Sequence, residues 1–502
     1  MGKIPGPEYF LSAALAAAVA VGLAGAFIGL NVSSLWADEL FTFWVVGNDH
    51  SAAAALARAQ SDIHPPLYYM SAFLVTETFG RSPVVLRAFS AILGVAAVPL
   101  FYYVTRKTYS IPARLVAMTI AVSSWFWVNQ TQNARSYGLC LLIATAVYGA
   151  ALALAARERD GRPVGWTLAA LVLSMALGSC VHPYMLFVAL ATLASLFVLC
   201  PRLRWVFVLI GGSITAAWFA YIHFVIRAHT VFSLEHSWIG NTTGWYRDEL
   251  RTSWQASLSN KPMIAIVLVC VASAAAVIMR DRSRRQPVTI DGRSLCLLVV
   301  PLVVIAGISS SMILTPNFTS RNLLVCSPFI WGAEAFLFDL GVARLGTVGR
   351  VAASIVVAVL ALVSIGGVSA RFVPVRTPFR ESARWIDSQP GCRGQAIAYV
   401  ITDGVYNSPV EAERHGAFEY GYYLQDVGLV PLYLKDAIAG RAVLNPSCRV
   451  VAWGAHYLND SHTAEAVRAG LVKSLHRKIV LFTLSLPGRK DGGGAAYIFL
   501  TP

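Results

Sequence analysis

Charged side chains are scarce in this 502-residue chain: Asp, Glu, Lys and Arg make up only 13% of it, while 56% is hydrophobic and the mean hydropathy is +0.60. Ordinary globular proteins carry about a quarter charged residues, so the deficit excludes a cytosolic enzyme, a disordered scaffold and a fibrous protein. Close-spaced cysteine pairs of the kind that hold zinc are missing, and so are internal repeats and low-complexity linkers. Acidic residues are the scarcer sign, 26 against 40 Lys and Arg, which leaves +14. In a soluble chain that excess would point to nucleic acid. Here it reports membrane topology, because cytoplasmic loops collect Lys and Arg.

What the chain has in abundance is apolar runs. A helix needs roughly 20 apolar residues to cross about 30 Å of hydrocarbon. Such runs lie near 9–31, 84–105, 114–129, 137–156, 164–181, 183–200, 205–226, 262–279, 294–314, 322–340 and 351–370. The expectation is a polytopic all-α membrane protein of about 11 transmembrane helices. The first run lacks a convincing cleavage site and reads as a retained helix. The stretch 65–80 is ambiguous, apolar but only about 16 residues long and carrying Glu77, and the placement of basic residues in the loops decides against a span, since counting it as one scatters the arginine-rich loops across both faces. With it left out, one set of short loops holds 16 Lys and Arg and the opposite, longer set holds 8. The positive-inside rule then puts the N-terminus in the cytoplasm and the C-terminus outside. Every polar segment of unusual chemistry falls on the outer side: Trp36–His64, Gln130–Tyr137, His182–Tyr184, His229–Lys261 and Pro316–Asn322.

Beyond residue 371 the composition turns to charges, glycine, proline and short β-rich runs, AIAYVIT, RVVAWG, KIVLFTLSL and AAYIFL, with amphipathic helical patterns in TPFRESARWIDSQ and SHTAEAVRAGLVKSL. This predicts a transmembrane catalytic domain over 1–371, its first outer loop about 32–83 carrying interfacial helices, and an extracytoplasmic α/β domain over 372–502. Six of the eight cysteines lie in apolar runs and read as small buried hydrophobes. Cys392 and Cys448 do not, and export of the tail predicts a disulfide between them, the alternative being two free thiols.

Asp38 and Glu39, in SSLWADELFTFW, are adjacent carboxylates at the membrane surface. They serve either as a helix cap or as a base in a cleft of low dielectric. Ser51 can cap a short Ala-rich helix, after which Pro65-Pro66 fix an extended entry and hold His64 at the interface. Gln132, Asn133, Arg135 and Tyr137 cluster in NQTQNARSYG, and Arg321 stands in TPNFTSRN. A guanidinium at this depth suits a phosphate, whose oxygens match its planar fork, or a lipid head group. His182-Pro183-Tyr184 reads as a helix junction or, with Tyr68 and Gln132, as a substrate contact.

The order WADELFTFW, DIHPPLYYM, SPVVLRAFSAILG, NQTQNARSYGLCLL, VHPYMLFVAL and a basic residue before a late span resembles membrane glycosyltransferases of the GT-C class. The nearest likeness is to the branch of protein O-mannosyltransferases, aminoarabinose-lipid A transferases and lipopolysaccharide galacturonosyltransferases. It covers residues 30–200 well and the later helices loosely. The resemblance implies an enzyme of the bacterial plasma (inner) membrane that takes a sugar from a polyprenyl-phosphate donor on the outer face. It matches Asp38, with Glu39 beside it, to the catalytic aspartate, and His64, Arg135 and Tyr137 to positions near the donor phosphate. Arg321 occupies the place of a late Arg-Tyr-Leu motif but is followed by Asn322-Leu323.

The expected chemistry is inverting transfer to a hydroxyl of a glycan, glycolipid or protein, with Asp38 as base and His64, Arg135 and Arg321 offsetting the leaving phosphate. It needs no cofactor and no nucleic-acid partner. Asp38, Glu39, Asp62 and His64 offer an alternative divalent-ion set. The rival readings are a multi-pass lipid or glycan transporter or flippase, and a sensor whose outer domain binds a ligand.

Overall fold

The computed structural model describes residues 7–226, 239–283, 291–369, 377–401, 416–439, 444, 446–455, 461–485 and 495–502. Contacts divide the chain into two compact units: residues up to 28 with 51–372, and 29–50 with 373–502. Residues 229–238 of the predicted outer segment His229–Lys261 lie outside the described residues.

The first unit is helical. Among the described residues, seven helices are long and apolar enough to cross a membrane: Pro83–Val104, Tyr137–Arg159, Pro201–Val225, Lys261–Asp281, Gly292–Ile313, Ser320–Arg344 and Thr347–Gly366. Tyr9–Gly25, Gly165–Ser179 and Pro183–Leu199 are apolar but shorter. Large apolar side chains such as Trp166, Trp205, Phe224 and Val348 stand exposed, as a lipid-facing surface requires. The run 114–129, expected as one helix, is two, Ile111–Ser123 and Trp125–Thr131, bent by 65°. Ser124 causes the break. Its backbone is extended, its Oγ accepts the N–H of Trp127 to start the second helix, and Oγ also donates to the carbonyl of Ala256 at 3.1 Å. Counting that pair as one span makes eight.

The stretch 65–80 holds a helix of 13 residues, Leu67–Phe79, about 20 Å long at 1.5 Å per residue and well short of the hydrocarbon. Before it, Ser51 caps Ala52–Ala59, its Oγ accepting the N–H of Ala54 at 3.3 Å. Helices Pro83–Val104 and Tyr137–Arg159 approach closely at Gly138, where a Cβ would collide with the carbonyl of Ser90.

The second unit is built on a five-stranded sheet in the order β2-β1-β3-β5-β4. Its strands are β1 (Ala396–Tyr399), β2 (Val430–Tyr433), β3 (Val450–Gly454), β4 (Val480–Ser485) and β5 (Ala495–Leu500). β1 runs parallel to β2 and β3, and β5 is antiparallel to β3 and β4. Four of the strands coincide with the β-rich runs. β2 escapes the pattern because it is four residues long and contains Pro431, tolerable on an edge strand. Helices Phe379–Asp387 and Ser461–Leu475 fall on the two amphipathic segments. The disulfide Cys392–Cys448, with Cα atoms 4.4 Å apart, ties the chain before β1 to the chain before β3.

The sequence keeps 32–83 as one outer loop of the membrane domain. In the structure, residues 29–50 belong with the sheet. Leu35 N–H donates to the Tyr423 hydroxyl at 2.6 Å, Ser34 donates to Glu381 at 2.6 Å, and the Arg380 guanidinium donates to the carbonyls of Asn31 and Val32. Phe43 packs on Tyr422, and Trp44 stacks on Phe418.

Candidate functional site

In the first unit the site grows from the loop between Ala52–Ala59 and Leu67–Phe79. His64 precedes Pro65, and the ring of that proline disfavours the helical region for the residue before it. The Leu67 N–H donates to the carbonyl of Cys180 at 3.2 Å, which lays this loop beside the turn leading to His182. The His64 and His182 rings consequently lie 4.8 Å apart.

Asp62 organises the cluster. Its Oδ1 accepts the N–H of Ile63 at 2.7 Å. Its Oδ2 accepts from His64 Nδ1 at 3.0 Å and from the Tyr69 hydroxyl, and Arg135 Nη2 stands 3.6 Å away. An ionised carboxylate only accepts, so the His64 proton sits on Nδ1 toward Asp62. Arg135 Nη1 donates to the Tyr69 oxygen at 2.6 Å, closing the network. Burial pushes the Asp62 carboxyl up, but His64, Arg135 and Tyr69 outweigh it and hold it below the usual carboxylate range.

Arg135 is itself buried, in the turn between Trp125–Thr131 and Tyr137–Arg159, and Ser90 Oγ donates to its carbonyl. Tyr137 opens the second of those helices, packs with Phe126 and Leu324, and places its ring 6.3 Å from that of His182. His182 is an N-cap, 2% exposed, its Nδ1 accepting the N–H of Tyr184 at 3.1 Å. Burial, and then the charges of His64, Arg135 and Arg321, hold its imidazole well below its ordinary pKa against the opposing pull of Asp62. Arg321 is therefore within electrostatic reach of this cluster.

Arg321 sits in the turn Ser320–Cys326, which is held from several sides. Trp245 Nε1 donates to the carbonyl of Phe318 at 2.8 Å, Glu249 accepts the N–H of Ser320, and the Tyr184 hydroxyl donates to Asn317. The remaining residues singled out from sequence lie elsewhere. Tyr68 is buried against Phe89, its hydroxyl 2.8 Å from Ser90 Oγ. Gln132 donates to the carbonyls of Gly25, Ala26 and Ile28 and thereby closes the end of the first helix. Asn133 donates to Gln130. Among the described residues no three His, Cys, Asp or Glu side chains gather in a group able to hold a metal ion.

Asp38 and Glu39 belong to the second unit, in the first turn of Ala37–Val46. Glu39 is fully buried and reaches back to accept the Trp36 N–H at 3.3 Å, the carboxylate half of a capping box. Asp38 is half-buried, and its carbonyl accepts from Thr42 Oγ1. In the sequence Asp62 stands out only as one of four possible metal ligands, and Tyr69 does not stand out at all. The available signal was spacing: a carboxylate two residues before a proline-locked histidine can reach its ring.

No protein-family model matches the chain, and neither does any curated protein. Among solved structures, ArnT from Cupriavidus metallidurans in the apo state matches with a TM-score of 0.55 at 12% identity, over 96% of this chain and 97% of that one. The same protein bound to undecaprenyl phosphate gives 0.52 at 12% identity, over the same shares. The mycobacterial arabinofuranosyltransferase AftD gives 0.44 at 14% identity, with 99% of this chain on 40% of that one. On the two ArnT matches, the chain has the fold of ArnT.

Proposed function

We propose that the protein is an inverting, polyprenyl-phosphate-dependent glycosyltransferase that moves a sugar to a hydroxyl of a glycan, glycolipid or protein at the outer face of a bacterial plasma membrane. The observation that carries this reading is the Asp62 cluster, where His64 and Arg135 gather with Arg321 in electrostatic reach, in a chain with the fold of ArnT. ArnT has been seen bound to undecaprenyl phosphate. Arg135 stands beside Asp62 and Arg321 acts on the neighbouring His182 ring, and a phosphate is the anion whose oxygens suit such planar guanidinium groups.

In the proposed step Asp38, with Glu39 beside it, takes the proton of the acceptor hydroxyl, and that oxygen attacks the anomeric carbon. The bond from that carbon to the phosphate oxygen breaks, and lipid phosphate leaves with the electron pair. Attack opposite the leaving group inverts the configuration. His64, Arg135, Tyr137 and Arg321 stabilise the charge that grows on the phosphate, so no acid is needed to protonate it. The proposed topology is eleven spans, supported by the seven long helices, the bent pair and the three shorter apolar helices. It has the N-terminus in the cytoplasm and 372–502 as an extracytoplasmic domain.

The test is sugar transfer from a radiolabelled polyprenyl-phosphate donor in reconstituted membranes. Wild-type protein releases and transfers label. Asp38→Asn keeps the side-chain volume, loses the base and abolishes transfer while the protein stays folded. A variant with most of the wild-type rate would overturn the assignment of Asp38, and absence of donor turnover by wild type across polyprenyl-phosphate sugars would overturn the enzyme class.

A further inference from the structure

One donor at this site has no counterpart among the described residues. The Tyr184 N–H occupies the lone pair of His182 Nδ1, so the imidazole is the neutral tautomer with its proton on Nε2. That Nε2 is shielded from solvent and has no hydrogen-bond partner among the described residues. Buried donors are nearly always satisfied, and an unsatisfied one in a native structure calls for an absent partner. The groups facing His182 identify what that partner must offer. His64 and Arg135 are donors. Asp62 accepts, but its oxygens receive Ile63, His64 and Tyr69, with Arg135 beside them, and neither oxygen bonds Nε2. Tyr137 presents its ring, and Tyr184 spends its hydroxyl on Asn317. A bound group must therefore bring acceptor oxygens into a cluster of cations.

We infer that His182 is a further ligand-binding residue, donating through Nε2–H to a phosphoryl oxygen of the lipid phosphate held by His64, Arg135 and Arg321. The inference rests on the phosphate role proposed for those three residues. His182 supplies direction without charge, because protonating Nδ1 would break the cap on Pro183–Leu199. Its depressed basicity agrees with a permanently neutral ring.

Two substitutions separate binding from capping. In His182→Asn the amide oxygen can replace Nδ1 as cap acceptor while the donor at Nε2 is lost. In His182→Gln the amide nitrogen reaches the Nε2 position while the cap acceptor is lost. Binding of undecaprenyl phosphate to the full-length protein in nanodiscs is measured against undecaprenol, its uncharged analogue. Wild type prefers the phosphate. His182→Asn weakens that binding about tenfold or more, as loss of a hydrogen bond to a charged group does, and His182→Gln stays within about threefold of wild type. The reverse order, or equal weakening with a lowered unfolding midpoint in both variants, overturns the inference and leaves His182 as a cap. Undiminished binding by His182→Asn overturns the inference alone. No preference of wild type for phosphate over alcohol overturns the phosphate reading beneath it.

Discussion

Asp62 does more at the level of single residues than its modest exposure announces, since one carboxylate fixes the proton of His64, the hydroxyl of Tyr69 and the approach of Arg135. Its folded pKa is depressed, so the stability it contributes is present above the unfolded value near about 4 and is lost as pH falls below it. The wild-type unfolding midpoint should drop as the medium is acidified from about pH 5 to about pH 3, and Asp62→Asn, which has nothing to titrate there, should drop less. Equal acid sensitivity in both proteins would detach Asp62 from this linkage. Asp62→Asn should also raise the KM for donor lipid, because an amide cannot accept from three donors at once. The histidine and the arginine were visible in the sequence, one locked by prolines and the other stranded between spans. The hub was not, because it arises where a loop meets a turn more than 70 residues away. Nor could spacing rank Tyr68 against Tyr69. Neighbouring helix positions point about 100° apart, and here Tyr68 faces Ser90 while Tyr69 faces Asp62.

At the scale of elements, the helix Thr243–Ser257 is the part whose work the sequence concealed. Read alone it is a polar stretch between spans. Folded, it holds two loops: Trp245 and Glu249 fasten the turn bearing Arg321, and the carbonyl of Ala256 receives Ser124 at the bend. Beyond its last turn, Ser259 Oγ accepts the Trp125 N–H at 2.9 Å. Trp245→Phe removes one hydrogen bond and keeps most of the ring, a loss of about 1 kcal/mol in the grip on that turn. The expected kinetic signature is a KM for donor lipid raised about fivefold with kcat changed less. Steady-state rates at varied donor concentration check it, and an unchanged KM would mean that the turn holds its shape without Trp245. Helix existence was legible throughout the apolar runs. The bend was not, since a serine inside an apolar segment gives no notice that a distant carbonyl will capture it.

The whole molecule is two units joined by crossings of the chain, and the sheet unit is the better test of order because a covalent bond closes it. Cys392 and Cys448 are both buried, and their sequence separation is 56. Closing a loop of that size typically stabilises a domain by about 2–4 kcal/mol. The double variant Cys392→Ser/Cys448→Ser should unfold at lower temperature and lose the sheet unit to protease first. Thiol labelling of the unfolded wild type should rise by two cysteines after reduction, and equal labelling before and after would show that no bond forms. Composition alone announced a membrane chain with an α/β tail, because spans and strands are local patterns. The allegiance of 29–50 was hidden, since it depends on aromatic contacts such as Phe43 with Tyr422.

That allegiance sets a timetable for biosynthesis. The helix Ala37–Val46 leaves the ribosome well before the residues that cover Phe43 and receive Leu35, because Tyr422 and Tyr423 come nearly four hundred positions later. At roughly 5–20 residues per second the wait is on the order of tens of seconds. Throughout it, the segment bearing Asp38 and Glu39 must be kept from pairing elsewhere while the intervening helices are delivered to the bilayer.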